Sequence, residues 1–308
     1  MMDRADLAAA DTRPSLAAQD TPGGAAATVR AVDDATLARL EHENMIGWPR
    51  VFTGQVAGSL ARIDRGIGTY LTGLPAPLFN QIIVVDDDAI DDAMGAAVAT
   101  ARDRQARLCV VLRRGADDRF AHVVADLGLV PDERVMPGMA LHPIPSTIDG
   151  VDDGFDIRVV RDAAGLEEHV RTAAEGLGFS ESIARAALGE ELWIRVGCTV
   201  YVGFDDDAPV SAGFSIRTGR TLGIFTIATV PAARGRGHGS AMTARAIADG
   251  LAEGCDVAAL QASDMGRPIY EWLGFRLVQE YDIYVEPRAR PQAPASAPSC
   301  SVRRRFSR

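Results

Sequence analysis

The tripeptides Leu127-Gly128-Leu129 and Leu273-Gly274-Phe275 stand 146 residues apart, and sliding the chain along itself by that distance aligns far more than these two. The run QIIVV at 81–85 falls on IATVP at 227–231. RLCVVLRR at 107–114 covers the apolar run around CDVAALQA, and RVMPGMALH at 134–142 meets the final alternating stretch. No gap is needed from residue 81 to residue 142. An internal repeat limits a chain more than any single motif does, because one arrangement of strands and helices must form twice. The expectation is a tandem α/β protein built from two copies of one unit.

The second copy carries the clearer pattern. FDIRVVR reads as a short strand, and DAAGLEEHVRTAAEGLG as a helix with Asp162 at its N-cap. CTVYVGF and PVSAGFSIR alternate around the turn DDDA, and TLGIFTIATV follows as a third strand. A glycine-rich turn then leads into an alanine-rich helix. DVAALQA is a buried strand, GRPIYEWLG a short helix and FRLVQEYDIYV a last strand. The order β-α-(α)-β-β-β-α-β-α-β belongs to an α/β domain on a mixed sheet.

Low-complexity composition sets the limits of these units. Residues 1–35 are rich in Ala, Asp, Pro and Gly and are expected to be a disordered tail. Residues 36–142 form the first domain, 143–154, within HPIPSTIDGVDDG (His142 to Gly154), a linker, and 155–286 the second domain. Residues 287–308 form an Arg/Pro/Ser-rich tail. All 32 basic residues are arginine, which excludes Schiff-base lysine chemistry and the lysine of a P-loop. The net charge of −10 disfavours nucleic acid and anionic membranes and suits cationic partners such as amines. Cys109, Cys198, Cys255 and Cys300 lie far apart and the five histidines are scattered, so no metal site is expected. With no apolar leader or membrane-length run, the expected location is the cytoplasm.

The chemistry concentrates in FTIATVPAARGRGHGSAMTARAIADGL, Phe225 to Leu251. A strand, a glycine turn and a helix N-terminus can bring several backbone N–H groups onto one anion. The glycines do not fit a P-loop, and a dinucleotide fingerprint fails at Ser240 and would open its domain. What remains is [Q/R]xxGx[G/A], met by Arg234, Gly237 and Gly239, with an ordinary helix start as the bland alternative.

The run VPAARGRGHGSAMTARAIADG, followed by LQASDMGRPIYEWLGFRLV, resembles the GCN5-related N-acetyltransferase (GNAT) superfamily over residues 156 to 286. The resemblance implies a fold of two GNAT-like domains, each a mixed, mostly antiparallel β-sheet flanked by helices, with acetyl-CoA as acyl donor. It places the pyrophosphate against Arg234, Gly235, Arg236, Gly237, His238, Gly239 and Ser240, and the pantetheine arm along Ala228, Thr229 and Val230. On this reading the N–H of Val230 polarises the thioester carbonyl, and Ser263 reaches the coenzyme from a position where many relatives have asparagine. Tyr270 becomes the acid that protonates the departing thiolate, with packing as its simpler role.

The first copy lacks these groups: Asp88 stands at the place of Arg234, Asp91 at that of Gly237 and Val124 at that of Tyr270. It reads as a degenerate copy without a coenzyme site. The strand before the turn also lacks the carboxylate many family members use to deprotonate the amine. Glu175, Glu181 and Glu191 are candidates, with solvated surface as the alternative. The implied activity is N-acetylation of an amine of a small molecule or peptide by direct attack. The alternative is a non-catalytic acyl-CoA-binding or partner-binding protein. Neither nucleic acid nor membrane is an expected partner, and a homodimer is allowed.

Overall fold

The computed structural model describes residues 32–148, 154–189 and 197–287. Residues 1–31 and 288–308 of the expected tails, residues 149–153 of the linker, and Glu191 lie outside the described residues. Helix α1 (Asp34–Met45) opens the described chain, two residues ahead of the expected domain start. Its start is set by Asp33, whose carboxylate accepts the Thr36 N–H at 2.7 Å.

After α1 come α2 (Gly47–Thr53), β1 (Leu60–Asp64), β2 (Ile67–Leu71), β3 (Asn80–Val84), α3 (Asp91–Asp103), β4 (Cys109–Arg113), α4 (Arg119–Asp126) and β5 (Val130–Leu141). The second half runs β6 (Asp156–Val159), α5 (Ala163–Leu177), α6 (Glu181–Ala187), β7 (Cys198–Asp205), β8 (Ala208–Thr218), β9 (Thr221–Thr229), α7 (His238–Ala252), β10 (Val257–Gln261), α8 (Arg267–Trp272) and β11 (Arg276–Val285). From β1 to β5 and from β7 to β11 the order of strands and helices is the same. Asp162 caps α5 by accepting the Gly165 N–H at 2.8 Å, and Gly178 ends that helix in the left-handed region.

Where two sheets were expected, the strands form one, in the order β1-β2-β3-β4-β11-β5-β10-β9-β8-β7-β6. The pairs β3–β4 and β9–β10 are parallel and the rest antiparallel. The two halves exchange their last strands. β11 pairs with β4 (Tyr281↔Arg113 to Val285↔Cys109), and β5 pairs with β10 (Leu141↔Ala258 to Gly138↔Gln261). The exchanged strands also pair with each other at the centre. β4 and β10 are buried along most of their length, and as sheet edges they would leave backbone groups unpaired.

The halves share side-chain packing as well. Trp48, Phe52 and Phe79 from the first half meet Phe179, Phe214 and Phe225 from the second. Phe52 is 4.3 Å from Trp48 and 6.2 Å from Phe214, both edge-on, and Phe79 lies 5.6 Å from Phe179. Each such pair contributes about 0.5–1.5 kcal/mol beyond its area. Helix α1 itself bridges the halves. Along β10, Val257 packs with Leu37 and Leu40 of α1, whereas Ala258 and Leu260 pack with Met242 and Ile247 of α7. The period-two alternation of a strand therefore puts α1 and α7 on opposite faces of the sheet.

Candidate active site

β9 and β10 are paired over three rungs only, Thr221↔Val257, Leu222↔Ala258 and Gly223↔Ala259. Beyond these, β9 continues to Thr229 along β8 and β10 to Gln261 along β5, so their facing edges part into a cleft. A bulge marks the parting on β9. The register on β8 shifts between Ala212↔Ala228 and Phe214↔Phe225, and Thr226 adopts φ 57°. A β-branched residue in that region costs about 1–3 kcal/mol, and such strain persists where the surroundings over-determine it.

The glycine turn lies at the end of this cleft strand. Pro231–Ala233 form a single tight turn, then Gly235 and Gly237 take φ 77° and 88°. A Cβ at either would meet nothing within 4 Å, so their requirement is conformational rather than steric. Gly237 is the N-cap of α7, and no side chain caps the helix. The first backbone bond of α7 runs from the Ala241 N–H to the Gly237 carbonyl at 3.0 Å. The N–H groups of Gly239 and Ser240 therefore have no partner in the helix and point, with the positive end of its dipole, toward the turn.

The side chains here are more occupied than their charges suggest. Arg234 donates to the carbonyls of Thr229 at 3.1 Å and Gly176 at 2.9 Å, tying the turn to α5. Arg236 makes an exposed ion pair with Asp205 at 2.9 Å. His238 is buried and stacks on Phe155 at 4.3 Å. Ala228 is buried beneath Gly176, where a Cβ would come within 2.9 Å of its methyl, and its carbonyl accepts from Ser211 Oγ. The Thr229 hydroxyl is 3.4 Å from that of Ser211. One expectation needs correction: the Val230 N–H already donates to the Val210 carbonyl at 2.9 Å, as the last bond of the β8–β9 edge, and is not free for a thioester.

On the other flank, Ser263 accepts the Gly266 N–H at 3.1 Å and shapes the turn into α8. Tyr270 sits on α8, half-buried and edge-on to Phe275 at 6.0 Å, and its hydroxyl has no hydrogen-bond partner among the described residues. Burial pushes its phenol up to about 12, so it keeps its proton at neutral pH. Of the carboxylates considered, Glu175 is exposed and Glu181 is ion-paired with Arg185 at 2.8 Å.

The corresponding place in the first half is filled. Asp87 pairs with Arg113 at 2.8 Å, and Arg119 donates to the backbone carbonyls of Asp87 and Ala89. The Val84 carbonyl, at the end of β3, lies 2.8 Å from His42 Nε2, and Val124 is fully buried.

Two polar residues escaped notice in the sequence. Glu41 and Asn44, three apart on α1 and both fully buried, reach under the second half's cleft. Asn44 Nδ2 donates to the Ile216 carbonyl at 3.1 Å and Thr218 Oγ1 at 3.2 Å, while its Oδ1, with no partner, lies over Gly223 on the last β9–β10 rung. Glu41 Oε1 accepts from Gln261 Nε2 at 2.6 Å, two residues past that rung. The backbone makes room for both. A Cβ on Gly223 would lie 1.8 Å from Asn44 Oδ1, and one on Gly138 would lie 2.6 Å from Glu41 Oε1. Their signal was two polar residues inside the apolar stripe Leu37, Leu40, Met45.

Residues 168–275, which hold the cleft, the turn and Tyr270, match the family described as acetyltransferase (GNAT). The match covers about a third of the chain. A GCN5-related N-acetyltransferase from Kribbella flavida superposes with a TM-score of 0.62 at 15% identity, covering 82% of this chain and 96% of the other. A tandem GNAT protein from the clavulanic acid biosynthesis pathway gives 0.53 at 12% identity, over 82% of this chain and 94% of its own. A functionally unknown conserved protein from Staphylococcus epidermidis gives 0.53 at 14%, over 76% and 97%. At such identities the likeness concerns the fold alone, and it extends beyond residues 168–275 into the first half. No curated protein matches the chain at significance. Among the described residues no helix is long and apolar enough to cross a membrane, and no group of His, Cys, Asp and Glu is arranged to hold a metal.

Proposed function

We propose that the protein is an acetyl-CoA-dependent N-acetyltransferase of the cytoplasm, acting through its second half on an amine of a small molecule or peptide. On this reading the first half is a degenerate GNAT copy retained as scaffold. The observation that carries it is the uncapped N-terminus of α7, with Gly235 and Gly237 in left-handed conformation, set at the end of a cleft between parting strands. That arrangement suits a pyrophosphate bound by backbone N–H groups and a pantetheine arm lying along the cleft as an added strand. The amine nitrogen attacks the thioester carbonyl, the C–N bond forms, and the C–S bond breaks. Tyr270 donates its phenolic proton toward the leaving sulfur, and the amine's surplus proton passes to solvent or a protein acceptor.

Free-thiol release from acetyl-CoA over a panel of polyamines, amino sugars, amino acids and short peptides tests the activity. Calorimetric titration with acetyl-CoA should give one site per chain, lost in Gly237→Glu. Two sites, or unchanged binding in that variant, would remove the assigned turn. Binding without turnover on any amine would favour a non-catalytic acyl-CoA-binding protein, a reading supported by the lack of any carboxylate on β9.

A further inference from the structure

Glu41, His42 and Tyr281 form a buried chain between the halves. The Tyr281 hydroxyl is 2.6 Å from Glu41 Oε2 and 3.1 Å from His42 Nδ1, and His42 Nε2 is 2.8 Å from the Val84 carbonyl. A carbonyl only accepts, so His42 carries its proton on Nε2. Burial first, and Arg113 next, push His42 down to about 4, so it is neutral and Nδ1 can only accept. Tyr281 has a single proton: it donates to Glu41 Oε2 when Glu41 is ionised, and turns to His42 Nδ1 when Glu41 is protonated and Oε2 itself donates. Burial raises Glu41 to about 7 despite its bonds with Tyr281 and Gln261, in keeping with a protonated acid below neutrality.

In both protonation states Oε1 remains an acceptor. It fixes Gln261 with its NH2 toward Glu41 and its carbonyl oxygen turned away. That oxygen receives no hydrogen bond from any described residue. Gln261 is the last residue of β10, partly exposed, where β9 has already departed.

We propose that Gln261 receives the N–H of the acceptor amine on its carbonyl oxygen, and that Glu41, supplied by the first half, is the positioning residue that orients Gln261 and places a negative charge behind it. The inference rests on the acetyltransferase reading and adds how a cationic acceptor would be selected. Gln261 on β10, Tyr281 on β11 and Gly138 on β5 pack against the Glu41 carboxyl, and His42 on α1 meets it through Tyr281. Arg113, Asp117 and Asp87 act on the chain from the far side of His42 and Tyr281. With Glu41 ionised, the polarised Gln261 amide should hold an ammonium group more tightly.

The test uses the full chain and whichever panel amine the wild-type protein turns over fastest. An alkylamine of pKa near 10 stays almost wholly cationic between pH 6 and 8.5, and its small neutral fraction changes identically for wild type and variant, so a difference between their KM profiles belongs to the protein. The expected wild-type KM falls on the order of tenfold across this range. In Glu41→Gln, which preserves shape and hydrogen bonding, it should stay flat at the high value. Gln261→Leu should raise it at every pH, with KM for acetyl-CoA unchanged in both variants and a lower melting temperature in Gln261→Leu, because the buried Glu41 Oε1 loses its donor. A Glu41→Gln protein that keeps the wild-type pH profile, or variants whose KM for acetyl-CoA rises in step with that for the amine, would overturn the proposal. Absence of turnover in the wild-type protein is a different failure: it overturns the acetyltransferase reading and this inference with it.

Discussion

Glu41→Gln also has a consequence for stability that needs no substrate to observe. The folded protein keeps a proton on Glu41 up to about pH 7, whereas the unfolded chain gives it up near 4.5. Between those values the folded state binds the extra proton. Its stability contribution is therefore fully present below pH 4.5 and lost as pH rises through 7. The displacement is about 2.5 pK units, which converts to about 3 kcal/mol lost by pH 8.5. Glutamine mimics the protonated acid: its carbonyl can accept from Gln261 and its NH2 can donate to Tyr281. The variant should thus match the wild type within about 1 kcal/mol at pH 5 and exceed it by about 3 kcal/mol at pH 8.5. For a folded unit of this size that corresponds to a melting temperature about 6–10 °C higher at alkaline pH. Thermal melts of both proteins from pH 5 to 8.5 measure the gap directly, and other titrating groups cancel in the difference. A gap independent of pH, or a variant less stable than wild type at pH 8.5, would refute the proton count.

Three further outcomes are expected. Gly223→Ala drives a methyl into Asn44 Oδ1 and should cost about 1–3 kcal/mol, read as a lower denaturation midpoint; an unchanged midpoint would mean that α1 does not press on that rung. Asp162→Ala removes the α5 cap and should cost about 1 kcal/mol, with reduced amide-exchange protection confined to the first turn of α5. Tyr270→Phe should slow turnover at least tenfold while leaving acetyl-CoA affinity intact, and full activity would remove the phenol from the mechanism.

The local pattern of the second half was legible because each element carries its own signals. Asp162 opens α5, the alternation around DDDA makes the β7–β8 hairpin, and Gly235 and Gly237 announce left-handed backbone before α7. The 146-residue register also foretold the matching order of strands and helices. What it could not supply was partner choice. Nothing in RVMPGMALH or RLVQEYDIYV says that each strand will pair with the other half's penultimate strand, since both candidate edges are equally apolar. The same limit hid Glu41 and Asn44. The spacing of Leu37, Leu40 and Met45 marks a helix, but the strand residues that hydrogen-bond Asn44 and Glu41 lie 172 to 240 residues away in sequence, and only those partners give the polar pair a meaning. Val230 was misread for a related reason. Which edge its N–H faces depends on the bulge at Thr226, and no residue type at that position predicts one.

The exchange of last strands sets a timetable for synthesis. β4 and β5 are complete in the nascent chain once Leu141 has emerged, yet the strand that belongs between them ends at Val285. At about 5–20 residues per second, that strand follows on the order of ten seconds later. Through this interval β4 and the apolar second half of β5 hold unpaired backbone edges, the kind that recruit strands from other chains. The ribosome therefore releases the first half as an open receptacle, and the last strand to be made is the one that closes it.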